Sequence, residues 1–478
     1  MSERSSISGI LRSMPWPLAE AVAALFTGAI SVFVIARLIG ADEFGRSSIA
    51  LGIVVIMLVG VNSLVHDALV RMPEMTPADL DVGFTASLAM AIVFVIAAAA
   101  AAPFIGALYE DPRLGLLILG FLALLPLAAV SETLIAERRR ALDFRTVARN
   151  QIAARVLGGS AGVAAAIFHA GAWSLTIQYL TIASYTAAAM LVQAGRWPRL
   201  RFSWQRLYPM LAFCGPIIAS QVMTQGTGRL LLLAIGHWHG LAVAGYWSAA
   251  TRISENLFGG LMQAAYNVGL AHFSIVQAAR GALLSSLRDA QAITAILSIP
   301  LLSALAATAE PLTLLLLGPG WAPVSTLMYG PLAASFLLIR RMFPTTTLRA
   351  VGRSGVSLTA SSVEFITLVA VVVAFGRLSP VSFNVIYPLA ILAGSIPVFA
   401  LLVQELRTPA AEQLLLFLKD ASAGLLAFLA GRQAAILGGE SAFSQLLLGG
   451  GVAFSVAATL LVLSDSELVV RIVRTGTK

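Results

Sequence analysis

Hydrophobic positions in this chain fall in long unbroken blocks, not in the two-residue alternation of strands or the one-sided stripes of soluble helices. Blocks of about 20 apolar residues occupy 16–39, 47–65, 83–102, 114–135, 150–168, 174–194, 208–235, 241–266, 289–309, 324–347, 356–376, 383–403, 421–437 and 444–464. That is the length a helix needs to cross the hydrocarbon core of a bilayer. The pattern predicts an all-α membrane protein with fourteen transmembrane helices. The apolar stretch 312–317 is too short to span and reads as a loop or a partial hairpin.

Polar positions inside the blocks are few, and they cluster. Between 245 and 267 a helical reading places Arg252, Asn256, Gly259, Gln263 and Asn267 within about 80° of one another, with Glu255 beside them. A charge near mid-membrane costs roughly 2.5–3.5 kcal/mol on insertion scales, so such groups face a cavity or a partner. Two arrangements meet that need: Arg252 and Glu255 form a sealed pair tying helices together, or the stripe lines a polar lumen. In the seventh block Gln221, Gln225 and Arg229 follow at four-residue spacing, with Ser220, Thr224 and Thr227 alongside. Ser and Thr commonly serve as hydrogen-bond glue between membrane helices, a role less usual for Gln and Arg. In the first block Glu20, Thr27 and Ser31 lie within about 40° of each other, making Glu20 a lumen candidate, while Arg37 reads as an anchor at the boundary. Ser357, Ser361 and Glu364 share a face of the eleventh block, which leaves Glu364 as an isolated acid wanting a cation, a proton or an arginine. Arg340 and Arg341 sit in the inner third of the tenth block, one set to point into a cavity and the other to reach headgroups. Arg155 and Arg432 read as boundary residues, Arg432 within reach of Glu440.

Composition removes the soluble alternatives. Of 478 residues 58% are hydrophobic and 11% charged, with a mean hydropathy of +0.88, whereas soluble domains carry about a quarter charged residues. The net charge of +8 comes from arginines grouped between apolar blocks without interleaved base-stacking aromatics, which speaks for membrane topology and against nucleic acid as a partner. With the N-terminus inside, 23 of the 31 Lys and Arg residues fall on the inner side, counting Arg340 and Arg341 there; Arg46, Arg113 and Arg377 fall outside. That bias predicts two cytoplasmic termini. The first block follows Arg4 and Arg12 as a secretory signal would, yet it is too long and lacks a small-residue cleavage site, so it is expected to stay as a helix. The single cysteine, Cys214, excludes an internal disulfide and a cysteine metal site, and His237 and His239 lack a third ligand. No cofactor is expected. Without a Gly-rich phosphate loop or an outer loop longer than about 14 residues, the chain reads as a transporter and not an enzyme.

The two halves echo each other. IARLIGADEFGRSSIA in the first is matched by LLLAIGHWHGLAVAGYWSAATRI in the second, and the basic loop AERRRALDFRTVARNQ by TTLRAVGRSG. Internal repeats of this kind are typical of secondary transporters. They divide the chain into a six-helix lobe over 1–200, a second over 201–405, and two added helices with a tail over 406–478.

Around ARLIGADEFG, LDFRTVARNQIAARVLGGSAGVAAAIFHAGAWSLTIQYL, GYWSAATRI and EPLTLLLLGPGWAPV the chain resembles the polysaccharide-transporter (Wzx-type) oligosaccharide flippases of the multidrug/oligosaccharidyl-lipid/polysaccharide exporter superfamily, over most of residues 10–400. The resemblance implies two six-helix bundles forming a V around a central cavity that opens to either side in turn. It further implies export of undecaprenyl-diphosphate-linked oligosaccharide units across a bacterial inner membrane, for exopolysaccharide, capsule or O-antigen synthesis, beside a polymerase and co-polymerase. Arg252, Arg229 and Arg340 suit the diphosphate. Gln221, Gln225, Asn256 and Gln263 suit the sugar, and Glu255, Glu364 and Glu20 are the acids available for ion coupling. A lipid II flippase and a drug or metabolite antiporter of the same superfamily are the alternatives.

Overall fold

The computed structural model describes residues 29–71, 76–276, 279–353 and 355–465; the side chains at 29, 64–71 and 213, and those of 257–276 other than Gly269 and Phe273, lie outside the description. Every regular element among the described residues is helical. Those elements are α1 Ala29–Arg71, α2 Pro77–Leu108, α3 Pro112–Leu122, α4 Leu124–Arg140, α5 Phe144–Ile167, α6 Trp173–Gln193, α7 Trp204–His239 and α8 Leu241–Val276. There follow α9 Arg280–Ala307, α10 Ala309–Leu317, α11 Pro323–Leu327, α12 Tyr329–Ala350, α13 Val356–Phe375, α14 Phe383–Leu406, α15 Ala410–Leu437 and α16 Ala442–Ser464. Among the described residues ten helices are long and apolar enough to cross a membrane, or eleven when α7 is counted as one bent span. That is the extent to which the fourteen expected spans are seen.

Proline sets the breaks. α3, α9 and α11 end at Leu122, Ala307 and Leu327, each four residues before Pro126, Pro311 and Pro331. A proline has no N–H to give the carbonyl four residues back, and its ring crowds that carbonyl, so the helix stops and restarts one residue later. α7 bends by 49° between Ala212 and Cys214, where Pro216 withholds the same bond from Ala212. The stretch 312–317 proves to be the end of the short helix α10, followed by a tight 3-10 turn at Pro319–Trp321 and then α11; it is a helical hairpin.

Starts are capped by side chains. Thr76 and Asp79 form a reciprocal capping box at α2, with Pro77 in the first turn. Asp111 caps α3 and Asp143 caps α5 by accepting from the N–H groups of Arg113 and Thr146.

Packing divides the chain into two compact units, one ending at Ser248 and the other beginning at Ala249. In the first, α1 packs along α7, α4 and α2, and α5 lies against α6. Its core includes Leu134, Ile135, Val147 and Met190. In the second, α9 packs on α15, α16 and α12, while α14 lies against α12 and α13. Phe273, Leu283, Leu287, Phe343 and Leu402 form a core there.

The echoed stretches meet in the first unit. The described part of the expected first span and the expected second span lie in one helix, α1, broken at Gly40, where φ is 80° and ψ is 169°. Gly240, 200 positions on, has φ 88° and ψ 166° and separates α7 from α8. Both lie in the left-handed φ range that favours glycine. Five residues past each comes the contact. A Cβ on Gly45 would fall 1.8 Å from the Leu241 carbonyl oxygen, and one on Gly245 would fall 2.1 Å from that of Ala41. Glycine therefore lets the two backbones touch, as small residues do in membrane helix pairs. Three residues further, the buried hydroxyls of Ser48 and Ser248 hydrogen-bond at 3.0 Å.

Candidate functional site

The polar stripe of the seventh span lies on α7. Thr224 and Thr227 donate their hydroxyls back to the carbonyls of Ser220 and Met223, both at 2.9 Å, which spends them on their own helix. Gln221, Gln225 and Arg229 remain at one-turn steps. Gln221 and Gln225 are exposed, and Arg229 is half-buried. The Gln221 carbonyl oxygen accepts from Ser63 of α1 at 3.2 Å, and the Arg229 stem runs past Gly52, its Cδ 3.6 Å from where a Cβ there would stand. α1 thus supports this stripe through a small residue and a hydroxyl.

On α8, Arg252 and Asn256 are half-buried and Glu255 is exposed. The side chains of Gln263 and Asn267, and all of Glu20, lie outside the described residues. Of the expected site residues, Gln221, Gln225 and Arg229 on α7 and Arg252, Glu255 and Asn256 on α8 are the ones with exposed or half-buried side chains. The α7 group offers one guanidinium and two amides, and the α8 group one guanidinium, one amide and one carboxylate; guanidiniums and amides are donors suited to phosphate and hydroxyl-rich ligands.

The tenth and eleventh spans hold a different arrangement from the expected one. Neither Arg340 nor Arg341 is set toward headgroups. Arg340 is 4% exposed and pairs with Asp420 of α15, itself 1% exposed, at 2.7 Å. Lys419 lies 3.9 Å from Asp420 and pairs with Asp465 beyond α16 at 2.6 Å. Arg341 pairs with Glu364 of α13 at 2.9 Å. Glu364 is thus not the isolated acid its own helix suggested, because its cation comes from α12. The physical reason is common to both pairs: a buried charge demands an opposite one, and the nearest lay on a neighbouring helix. Arg340 also borders an apolar cleft of about 630 Å³ between α12, α14 and α15, where Gln413 and Ser395 are the other polar side chains. Arg432 donates to the Tyr329 hydroxyl at 3.5 Å.

Sequence reasoning missed the charge clusters in the first unit. Arg46, assigned to an outer loop, sits inside α1 at 8% exposure. It pairs with Asp42 at 2.9 Å, with Glu43 at 2.5 Å and with Asp111. Glu43 in turn accepts from the Ala172 N–H at 2.9 Å. The three- and four-residue spacing of Asp42, Glu43 and Arg46 was a readable sign of the local part. Nearby, Tyr109 donates to the Leu233 carbonyl at 2.7 Å, with the His237 ring edge-on at 5.8 Å. Burial pushes the Tyr109 phenol up from its ordinary pKa, which keeps it a neutral donor. Both clusters brace the end of the first unit where Gly45 and Gly245 meet.

Comparison with known proteins gives these features a setting. Residues 34–326 match the family described as polysaccharide biosynthesis protein. The succinoglycan biosynthesis transport protein ExoT of Rhizobium meliloti (strain 1021) is 24% identical over 313 residues, which are 66% of this chain; the match spans 63% of that protein's length. Among solved structures, the lipid II flippase MurJ in an inward closed conformation superposes over 94% of this chain and 99% of its own, with a TM-score of 0.71 and 13% identity. An inward-facing multidrug resistance MATE family transporter of the MOP superfamily covers 84% of this chain and 95% of its own, with a TM-score of 0.55 and 16% identity. The two structural likenesses extend over 94% and 84% of the chain and show its fold. The chain is a polytopic member of the family described as polysaccharide biosynthesis protein.

Proposed function

We propose that this protein flips undecaprenyl-diphosphate-linked oligosaccharide units across a bacterial inner membrane, with both termini in the cytoplasm. The observation that carries the reading is the pairing of family membership with two polar helices, α7 and α8, that present Arg229, Arg252 and three amides along otherwise apolar spans. Arg252 and Arg229 hold the diphosphate through charge-assisted hydrogen bonds. Gln221, Gln225, Asn256 and Gln263 partner the sugar hydroxyls. The polyprenyl tail stays in lipid. Residues 1–200 and 201–405 act as two lobes that rock against each other, and the contact of Gly45 with Leu241 and of Gly245 with Ala41 opens and closes as they do. Glu255, one turn from Arg252, competes with the phosphate for it, which links ion binding to cargo binding. Arg340 and Glu364 we assign to holding α15 and α13 on α12. Polymerase and co-polymerase take the product on the far side.

The test is export of polymer in a host lacking its own transporter. Arg252→Ala is expected to abolish export at a normal protein level, and Arg252→Lys to restore it in part, because a point charge lacks the planar fork. Normal export by well-expressed Arg252→Ala would refute the cargo role. The match to the lipid II flippase over nearly the whole chain supports a second reading, in which the cargo is the cell-wall precursor. Rescue of a strain depleted of its lipid II flippase would select it.

A further inference from the structure

The connection from α6 to α7, residues 194–203, is an extended strap with two unlike sides. Its inner side is pinned to the start of α2. Asp81 accepts from the Arg199 backbone N–H at 2.9 Å and pairs with the Arg196 guanidinium. Thr85 accepts from the Arg201 N–H at 2.8 Å, and Asp79 pairs with Arg206 at 2.6 Å. Asp79 and Asp81 are buried, so Arg196 of the strap and Arg206 of α7 are neutralised from beneath. The outer side is different. Trp197, Leu200 and Phe202 are 67%, 73% and 70% exposed, and Trp204 and Tyr208 continue the exposed row into the first turns of α7, their rings 6.2 Å apart. Between them the Arg199 and Arg201 side chains are exposed, while their backbones are the pinned part.

We propose that this strap is a docking surface for the anionic phospholipid headgroups of the bilayer in which the protein sits. The chemistry fits on both counts. Indole and phenol rings settle at headgroup depth, where their apolar bodies meet acyl carbon and their N–H and O–H groups meet water. Arg199 and Arg201 sit among those rings, at the depth of lipid phosphates. Neither guanidinium is within ion-pair distance of Asp79 or Asp81, although Arg199 still acts on Asp81 through space, and with both side chains exposed the outward charge is positive and complementary to an anionic surface. Pinning the backbone beforehand lowers the ordering cost of the contact. A strap so anchored holds the connection between α6 and α7 at a fixed depth in the headgroup layer.

The experiment uses the full chain reconstituted into phosphatidylcholine vesicles with a minor fraction of either brominated phosphatidylglycerol or brominated phosphatidylcholine. Quenching of Trp197 and Trp204 is read as the difference from a Trp197→Phe/Trp204→Phe protein. At low salt the anionic quencher should be enriched at the strap, by roughly fivefold for each of the two arginines, and the preference should shrink as salt rises. Arg199→Gln/Arg201→Gln should erase it, whereas Arg199→Lys/Arg201→Lys, which keeps charge and the backbone bonds, should retain it. Equal quenching by the two lipids in the wild type, or a preference that survives the glutamine pair, would overturn the proposal. No lipid-linked sugar enters the assay, so its outcome is separate from that of the transport reading.

Discussion

Replacing Gly245 with alanine adds one methyl where there is no room for it. Its carbon would stand 2.1 Å from the Ala41 carbonyl oxygen and 3.1 Å from the Gly45 nitrogen, with backbone on both counts. Carbon and oxygen settle at about 3.3 Å or more, so α1 and α8 must part by roughly 1.2 Å. Forced insertions of this size cost about 1–3 kcal/mol, which shifts the balance between a closed and an open contact by about 5- to 150-fold. Ser48 is a reporter of that balance, since it is 2% exposed and bonded to Ser248. With Cys214→Ser removing the native thiol, a Ser48→Cys protein would be labelled by a maleimide, and Gly245→Ala should raise its labelling rate within that range. Gly228→Ala is the control, because nothing lies within 4 Å of a Cβ there and alanine favours a helix. An unchanged labelling rate in folded Gly245→Ala would refute the reasoning, as would an equal increase in the Gly228→Ala control.

Two further outcomes concern the buried charges. Asp420→Asn leaves Arg340 without its counter-charge at 4% exposure, so thermal unfolding in detergent should show a loss of about 3–5 kcal/mol, largely recovered by Arg340→Met/Asp420→Leu; equal stability of wild type and Asp420→Asn would contradict the pairing. Asp81→Asn removes the carboxylate that holds Arg196 and the Arg199 N–H, and trypsin should then cut between 196 and 206 faster than in wild type; an unchanged rate would show the strap is held by other contacts.

The helices were legible because lipid leaves little choice: each apolar run from 83 onward is helical to within a residue of its ends, apart from single-residue breaks at Ala123, Thr308 and Met328, since helix is where its backbone groups are satisfied. The breaks were legible in part, since Pro126, Pro311 and Pro331 mark them. What escaped was pairing between distant helices. Arg340 and Asp420 are 80 positions apart and Arg341 and Glu364 are 23 apart, and no periodicity in either helix announces the other. Arg46 was misplaced for the same reason, for its third partner, Asp111, comes from another helix. The echo of ARLIGADEFG in the second half was visible, but not that both glycines share one left-handed backbone state or that the two copies would lie in contact.

If residues 1–200 and 201–405 rock against each other as proposed, the contact between the two echoed stretches opens during every cycle. Ser48 and Ser248 supply the measurement, since their hydroxyl oxygens are 3.0 Å apart, within what a disulfide can bridge. In a Cys214→Ser background, Ser48→Cys/Ser248→Cys should flip lipid-linked oligosaccharide in vesicles when reduced, lose transport on oxidation, and regain it with reductant, while each single cysteine stays active throughout. Wild-type transport by the fully cross-linked protein would contradict the mechanism.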